Sequence, residues 1–484
     1  MTDTITPTLT APEAAAAAGS AAPLVAATSR EERARWLEAV ADALDAAANE
    51  LVPIAMAESH LPEARLRGEV GRTSGQLRLF ASVLHDAGYL EAIIDHAKPD
   101  AAPPQPDLRR MLIPTGPVAV YAASNFPFAF SVAGGDTASA LAAGCPVVVK
   151  AHPGHPELSL RTAAVVTDAL ADAGAPAGIF SLVEGMDAGV ALIQEPAITS
   201  GAFTGSLAGG RALFDLASAR PTPIPFYAEL GSINPVVVTA DAIAANGEAL
   251  ATGLVGSFTL GGGQFCTKPG VVFAPADSGF ESLVAAAMGS AQASPLLNER
   301  IAAGFGHGIG QLTDHSAVEL VAGTRSADDA EAPAPLVLAT TASAVIADPE
   351  ALLAECFGPV TLLVSYASEV ELHRALGVLE GSLTGTIHAA PGEQVDQLVA
   401  SLAPRVGRLL FGGWPTGVSV TWSQHHGGPW PATTSIHTSV GATAIRRFLR
   451  PLTFQDAPES VLPAELQESN PLGVPRRVDG VLQH

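Results

Sequence analysis

"GPVAVYAASNFPFAFSVAGGDTASALAAGCPVVVKA" (residues 116–151) decides the fold. Its opening "GPVAVYAAS" reads as a buried strand, "GGDTASALAAG" (134–144) as a helix of small residues, and "CPVVVKA" (145–151) as a second strand. Near-continuous apolar strands on either side of a helix predict a parallel, right-handed strand–helix–strand unit covered on both faces. The rhythm repeats downstream. "ELSLRTAAVVTDALADAG" is a helix, "GIFSLVEG" a strand, "DAGVALIQ" a short helix, "AITSGAFTG" a strand, "SLAGGRALFDLASA" a helix and "PFYAEL" a strand. Such alternation is the pattern of an α/β fold with parallel sheets.

Outward from this core, residues 29–60 predict a helix that starts at Ser29, with acids just inside it. Residues 62–96 predict one or two further amphipathic helices, and "KPDAAPPQPD" (98–107) interrupts them. The N-terminal "APEAAAAAGSAAPLVAA" has no basic leader and reads as frayed chain or helix rather than a secretory signal. After "INPVVVTADAI" a second α/β unit runs to about "GRLLFGGWPTG". The tail from 424 is rich in Gly, Pro and Thr, then turns strand-like and basic. The expected layout is a first domain over 1–229, a second over 230–423, and a return segment over 424–484.

Composition excludes several classes of function. A chain of 484 residues can bury large cores without metal or disulfide support. Its apolar runs are short, far below the roughly 20 residues of a membrane helix. A net charge of −23 repels phosphate backbones, so nucleic acid is not an expected partner. Three widely spaced cysteines, Cys145, Cys266 and Cys356, argue against a disulfide framework and for a reducing, cytoplasmic setting. No zinc-ligand spacing is present, and the adjacent His425 and His426 suit a loop better than a metal face.

Several short stretches could carry chemistry. "GGGQFCTKPG" (261–270) holds Cys266, which could be filler, ligand or nucleophile. "AELGSINP" places Glu229 at a strand end, where partial desolvation suits a carboxylate to base work. "AASNFPFAF" places Asn125 after a strand, where its amide could donate to an oxyanion. "VVVKAHPGHP" puts Lys150 at the carboxyl end of a strand, where open α/β sheets bind ligands. "AFTGSLAGGRAL" brings Gly205, Ser206 and Gly210 to a strand-to-helix junction suited to a phosphate, although it is neither a P-loop nor G-x-G-x-x-G. Each has an ordinary alternative: a capping or surface glutamate, a turn asparagine, a loop lysine, a glycine turn.

Taken in order, these stretches resemble the aldehyde dehydrogenase superfamily. The resemblance rests on "SNFP", "VVVKAH", "PAGIFSLVEG", "FTGSLAGG", "ELGSINP", "GQFCTKPG" and "ECFGPV", and it runs from about residue 30 to the end. "ASNFPFAFSVAGGDTASALAAGCPVVVKAHPGHP" and the tail "HGGPWPATTS" are similar to the branch that includes 2,5-dioxovalerate (α-ketoglutarate semialdehyde) dehydrogenases.

The resemblance implies a Rossmann-like cofactor domain, a catalytic domain and an oligomerisation arm drawn from 108–115 and the tail, in a homodimer or homotetramer. It implies Cys266 as nucleophile, Glu229 as the base that activates water, and Asn125 with the Cys266 N–H as oxyanion donors. Lys150 and Glu355 would bind cofactor ribose hydroxyls, Phe357 would flank the nicotinamide, and Ser206 with Gly205 and Gly210 would hold the pyrophosphate. NAD or NADP is expected. Pro153 stands where NAD-preferring relatives often carry an acid, and Met186, followed by Asp187, stands where NADP users often carry an arginine. Phe126, Phe130, Phe265, Trp422 and Trp430 are candidate tunnel residues. Lys268 and nearby arginines are candidates for a cation at the tunnel mouth. Competing functions are a broad-specificity or fatty aldehyde dehydrogenase, an acylating enzyme using coenzyme A, and a silent nucleotide-binding scaffold. No metal ligand is assigned.

Overall fold

The computed structural model describes residues 9–324 and 332–483. The start of the first expected domain, residues 1–8, lies outside them. Three sheets organise the described residues.

The first sheet is fully parallel. Its order is Phe180–Val183, Val147–Lys150, Val118–Tyr121, Ser200–Thr204 and Phe226–Glu229. The strand order reverses around Val118–Tyr121, which makes a crevice at the carboxyl ends of the strands there. Val147, Val148 and Val149 are fully buried, as expected for strands covered on both faces.

Helices cover this sheet. Helix Arg30–Ser59 starts at a reciprocal cap: the Ser29 hydroxyl accepts from Glu32 N, and the Glu32 carboxylate accepts from Ser29 N at 2.8 Å. One further helix, Glu63–Asp86, packs along it, and the chain then enters a strand at Ala92–Asp95. The alanine-rich N-terminal stretch is ordered helix, Ala11–Ala26. Thr10 and Glu13 cap it, and Ala11, Ala14, Ala15 and Ala18 are buried with the first sheet. Alanine supplies a close-packing face at no side-chain entropy cost.

The second sheet has seven strands, in the order Glu319–Ala322, Leu336–Thr341, Val360–Tyr366, Val271–Pro275, Pro235–Val238, Ser382–His388 and Val406–Phe411. Only the pairing of the first two is antiparallel. The third sheet joins the return segment to two strands from the first part of the chain. Leu108–Pro114 pairs antiparallel with Leu449–Gln455 on one side and with Ala92–Asp95 on the other. Arg476–Val478 and Val481–Gln483 complete it.

The Gly/Pro/Thr-rich tail joins the first two sheets. Leu230 N donates to Ala432 O at 2.8 Å, and Thr434 N donates to Ala228 O at 3.1 Å, which covers the free edge of Phe226–Glu229. Gly381 N donates to Trp430 O at 3.1 Å, just ahead of Ser382–His388. The same loop therefore touches the strand that ends in Glu229 and the sheet that carries the cysteine loop.

Candidate active site

Cys266 follows helix Ala240–Thr259 and a tight turn, Leu260–Gly263, and precedes strand Val271–Pro275. The three glycines of the turn all adopt left-handed backbone, with φ between 59° and 69°. A side chain at Gly263 would also run into the backbone of Gly358 and Pro359. Close approach is what a residue without a side chain permits here. What approaches them is the chain itself.

Buried side chains fix the cysteine loop. Asn234, itself left-handed at φ 51°, donates to Cys266 O at 2.7 Å and to Lys268 O at 2.9 Å, while its own oxygen accepts from Ser232 and Thr384. Thr267 Oγ1 donates to Thr416 O at 2.7 Å. Lys268 Nζ donates to Cys356 O at 3.0 Å and Val360 O at 2.9 Å, and the residue is only 4% exposed. Lys268 is thus an internal brace, not a cation at a tunnel mouth.

Glu229 ends its strand beside this loop. Ser439 Oγ donates to Glu229 Oε2 at 2.6 Å. His426 Nε2 lies 2.9 Å from Glu229 Oε1 and 3.4 Å from Cys266 Sγ. Donor atoms of all three residues fall within 4.8 Å of one another. His426 is buried and held by its neighbours, its N–H donating to Thr438 Oγ1 at 2.8 Å and its carbonyl accepting from Ser439 N at 2.8 Å. The pair His425–His426 does lie in a loop. His426 is not among the residues singled out from the sequence; the tail crosses the edge of Phe226–Glu229 and delivers its imidazole between acid and thiol.

The electrostatics follow from burial. Desolvation, then the charge of Glu229, raises the Cys266 thiol well above its ordinary range. Burial alone would raise Glu229, but the His426 ring and the Ser439 hydroxyl hold it below the usual carboxylate range. The resting arrangement is a neutral thiol beside an ionised carboxylate, with an imidazole touching both.

Asn125 Nδ2 donates to Gln264 O at 3.1 Å, two residues before the cysteine. Arg65 Nη2 holds the Asn125 carbonyl at 2.6 Å. Phe126, Phe130 and Phe265 pack edge-on in one group, with ring centroids 5.2–5.4 Å apart. Trp422 and Trp430 do not join it: both are half exposed, and Trp430 lies under Arg211.

The other two cysteines are packed inside. Burial raises both thiols, Cys356 to about 11. Cys145 Sγ donates to Phe448 O at 3.4 Å and Cys356 Sγ to Phe305 O at 3.8 Å.

The expected cofactor residues gather at the carboxyl ends of the first sheet and beside the cysteine loop. Lys150 is buried at the end of its strand, and its ammonium has no carboxylate partner among the described residues, only Met186 Sδ at 3.6 Å. A buried cation left so exposed to desolvation suits hydroxyl acceptors of a ligand. Ser206 caps helix Leu207–Ser218, accepting from Gly209 N at 3.3 Å. Gly210 N donates within the helix to Ser206 O, and a side chain at Gly210 would strike Leu230. Gly210 thus serves helix–strand packing, while the first-turn N–H groups face the phosphate task. The Glu355 carboxylate lies so near Gly231 that a side chain there would meet Glu355 Oε2 at 2.6 Å. Glu355 is exposed by surface area, yet the protein crowding its carboxyl pushes it up to about 7, desolvation outweighing Lys268 and the Ser232 N–H. Phe357, next but one, is half-buried.

Among the described residues, no helix is long and apolar enough to cross a membrane. The chain is 49% identical over 458 residues to α-ketoglutaric semialdehyde dehydrogenase 2 of Azospirillum brasilense, covering 93% of this chain and 87% of that protein. It is 41% identical to α-ketoglutaric semialdehyde dehydrogenase of Acinetobacter baylyi, covering 94% and 88%. In fold it matches aldehyde dehydrogenase 21 of Physcomitrella patens, solved with succinate, at a TM-score of 0.78 and 22% identity over 93% of this chain and 91% of that one. PnpE in complex with nicotinamide adenine dinucleotide matches at 0.78 and 23%, over the same shares. The family profile spans residues 7–449 and with it the cysteine, the carboxylate and the crevice between them; this chain belongs to the aldehyde dehydrogenase family, whose members oxidise aldehydes with NAD or NADP.

Proposed function

We propose that this chain oxidises 2,5-dioxovalerate (α-ketoglutarate semialdehyde) to 2-oxoglutarate. The observation that carries the chemistry is the convergence of Cys266, His426 and Glu229 within 4.8 Å. The substrate rests on the two relatives that carry that semialdehyde in their names.

The half-buried thiol of Cys266 meets the aldehyde carbon. As sulfur attacks, the thiol proton passes to the Nε2 lone pair of the His426 tautomer that carries its own proton on Nδ1, and Glu229 Oε1, 2.9 Å away, accepts from the imidazolium that forms. The alkoxide of the thiohemiacetal accepts from the Asn125 amide and the Cys266 N–H. Bound NAD or NADP supplies the acceptor for the hydride that leaves this carbon. The alkoxide collapses to a thioester on Cys266. Glu229 then takes a proton from water, the hydroxide adds to the thioester carbon, Cys266 leaves as thiol with the proton that His426 had held, and the acid product loses its own proton to solvent as the carboxylate. Lys150 and Glu355 bind the ribose hydroxyls, Ser206 and the helix start at Gly205–Gly210 take the pyrophosphate, and Phe357 flanks the nicotinamide. Neither cofactor is demanded by the residues present, so both serve.

The same reading places the protein in the reducing cytoplasm. It works there as a homodimer or homotetramer through the sheet built from Leu108–Pro114 and Leu449–Gln455, whose edges a partner would cover. Retention of Glu229 favours hydrolysis over transfer to coenzyme A.

Absorbance of the reduced cofactor across an aldehyde panel tests the reading. Turnover should vanish in Cys266→Ala and stall after one acylation in Glu229→Gln. Equal activity in all three proteins would overturn it.

A further inference from the structure

Helix Glu63–Asp86 carries Arg65 and Arg72, two turns apart on one face. The Arg65 guanidinium lies 4.8 Å from the Phe265 ring and 5.1 Å from Phe126. The Arg72 guanidinium lies 5.0 Å from Phe130 and 5.8 Å from Phe126. These three rings border the catalytic groups. Phe265 precedes Cys266, Phe126 follows Asn125, and the Phe130 ring is 6.4 Å from that of His426.

Each guanidinium is engaged on one side only. Arg65 Nη2 donates to Asn125 O and Arg72 Nη2 to Val418 O, at 2.6 and 3.1 Å. Arg65 Nη1 and Arg72 Nη1 are buried and have no hydrogen-bond partner among the described residues. Glu69, between them on the helix, attracts both electrostatically but gives neither a hydrogen bond. Its Oε1 accepts from Phe128 N and Ala129 N at 2.8 and 3.0 Å, and it makes no ion pair with either arginine among the described residues. Burial also holds its carboxyl above the ordinary range.

Two half-buried cations whose open donor atoms are themselves buried are costly unless a ligand completes them. An arginine fork is shaped for a carboxylate, and the aromatic faces fix its orientation. Lys268, the other cation near the loop, is fully used by backbone carbonyls.

We propose that Arg65 and Arg72 form the anion subsite that binds the carboxylate of the substrate, so that the enzyme selects oxo acids bearing a terminal aldehyde over uncharged aldehydes. This rests on the reading that Cys266 attacks an aldehyde in the same pocket. The subsite holds the acid end against the aromatic group while the aldehyde end reaches the sulfur.

The test compares wild type, Arg65→Met and Arg72→Met with 2,5-dioxovalerate, succinate semialdehyde and pentanal. Each variant should lose about tenfold to a hundredfold in kcat/KM on the two acids, mainly through KM. Pentanal oxidation should fall clearly less than oxidation of the two acids, the shared part of the loss being what the bond from Arg65 to Asn125 O contributes. Arg65→Lys and Arg72→Lys, which keep the charge without the fork, should recover part of the loss and stand in where a methionine variant does not fold. Equal losses on acids and pentanal would overturn the subsite and reduce the arginines to braces of Asn125 and the thiol. A wild type that oxidises pentanal as well as the acids would also overturn it, while leaving the cysteine chemistry intact. Calorimetric titration with glutarate reads the subsite without turnover, so it stands even where no aldehyde is oxidised: binding should weaken about tenfold or more in each variant, and unchanged binding would overturn the assignment.

Discussion

His426 Nε2 lies 3.4 Å from the Cys266 sulfur, and this short reach governs how the thiol loses its proton. Burial and the Glu229 charge keep the thiol neutral at rest, so a base must act as sulfur attacks. His426→Asn removes that base while keeping the backbone bonds to Thr438 and Ser439. Single-turnover formation of reduced cofactor should slow about a hundredfold. An unchanged rate would leave His426 as a spacer in the loop.

Glu229→Gln should act in two opposite senses. Removing a negative charge beside the sulfur lowers the thiol's pKa, so the pH profile of iodoacetamide alkylation should move toward lower pH. Desolvation remains, so the profile should still lie above that of a free thiol. Meanwhile hydrolysis loses its base, and the enzyme should give one burst of reduced cofactor and then stall. An alkylation profile identical to wild type would contradict the coupling.

Asn125→Ala should lower kcat about a hundredfold to a thousandfold, the usual effect of losing one oxyanion donor. Its structural bond to Gln264 O is a single hydrogen bond, worth about 1 kcal/mol, so the folded protein should survive. A small kcat effect with a large fall in Tm would mean that Asn125 only shapes the cysteine loop.

Sulfur, imidazole nitrogen and carboxylate oxygen together form a donor set that Zn²⁺ favours. Added Zn²⁺ should inhibit the enzyme, and EDTA should restore activity. His426→Asn should weaken the inhibition measured against initial rate. Inhibition equally strong in that variant would place the metal elsewhere.

The parallel sheets were legible because buried strands such as Val147–Lys150 leave unbroken apolar runs in the sequence. Cys266, Glu229 and Asn125 stood out because they lie in short motifs around strand ends and turns. His426, Ser439 and Asn234 did not. His426 and Ser439 meet Glu229 only because the tail, some two hundred positions away, closes the edge of Phe226–Glu229, and no local periodicity encodes that meeting. Asn234 sat in a quoted motif, but its left-handed backbone and its bonds across to the cysteine loop are long-range facts. Lys268 misled for the same reason: it stood as a candidate cation for the tunnel mouth, whereas backbone carbonyls more than eighty positions on consume its ammonium.

Glu355 gives a pH test of the cofactor crevice. Desolvation, opposed by Lys268 and the Ser232 N–H, pushes its carboxyl up to about 7. A raised carboxyl is ionised above that pH and neutral below it. If the ionised form accepts the cofactor's ribose hydroxyls, it binds more strongly than the neutral form, because an anionic acceptor makes the stronger hydrogen bond. KM for the cofactor should therefore rise as pH falls through about 7, while kcat at saturating cofactor follows the cysteine chemistry instead. Glu355→Gln has no proton to gain, so its KM should be higher than that of wild type above pH 7 and flat across this range. A variant that keeps the wild-type slope would show that another group titrates, and would remove Glu355 from the cofactor site.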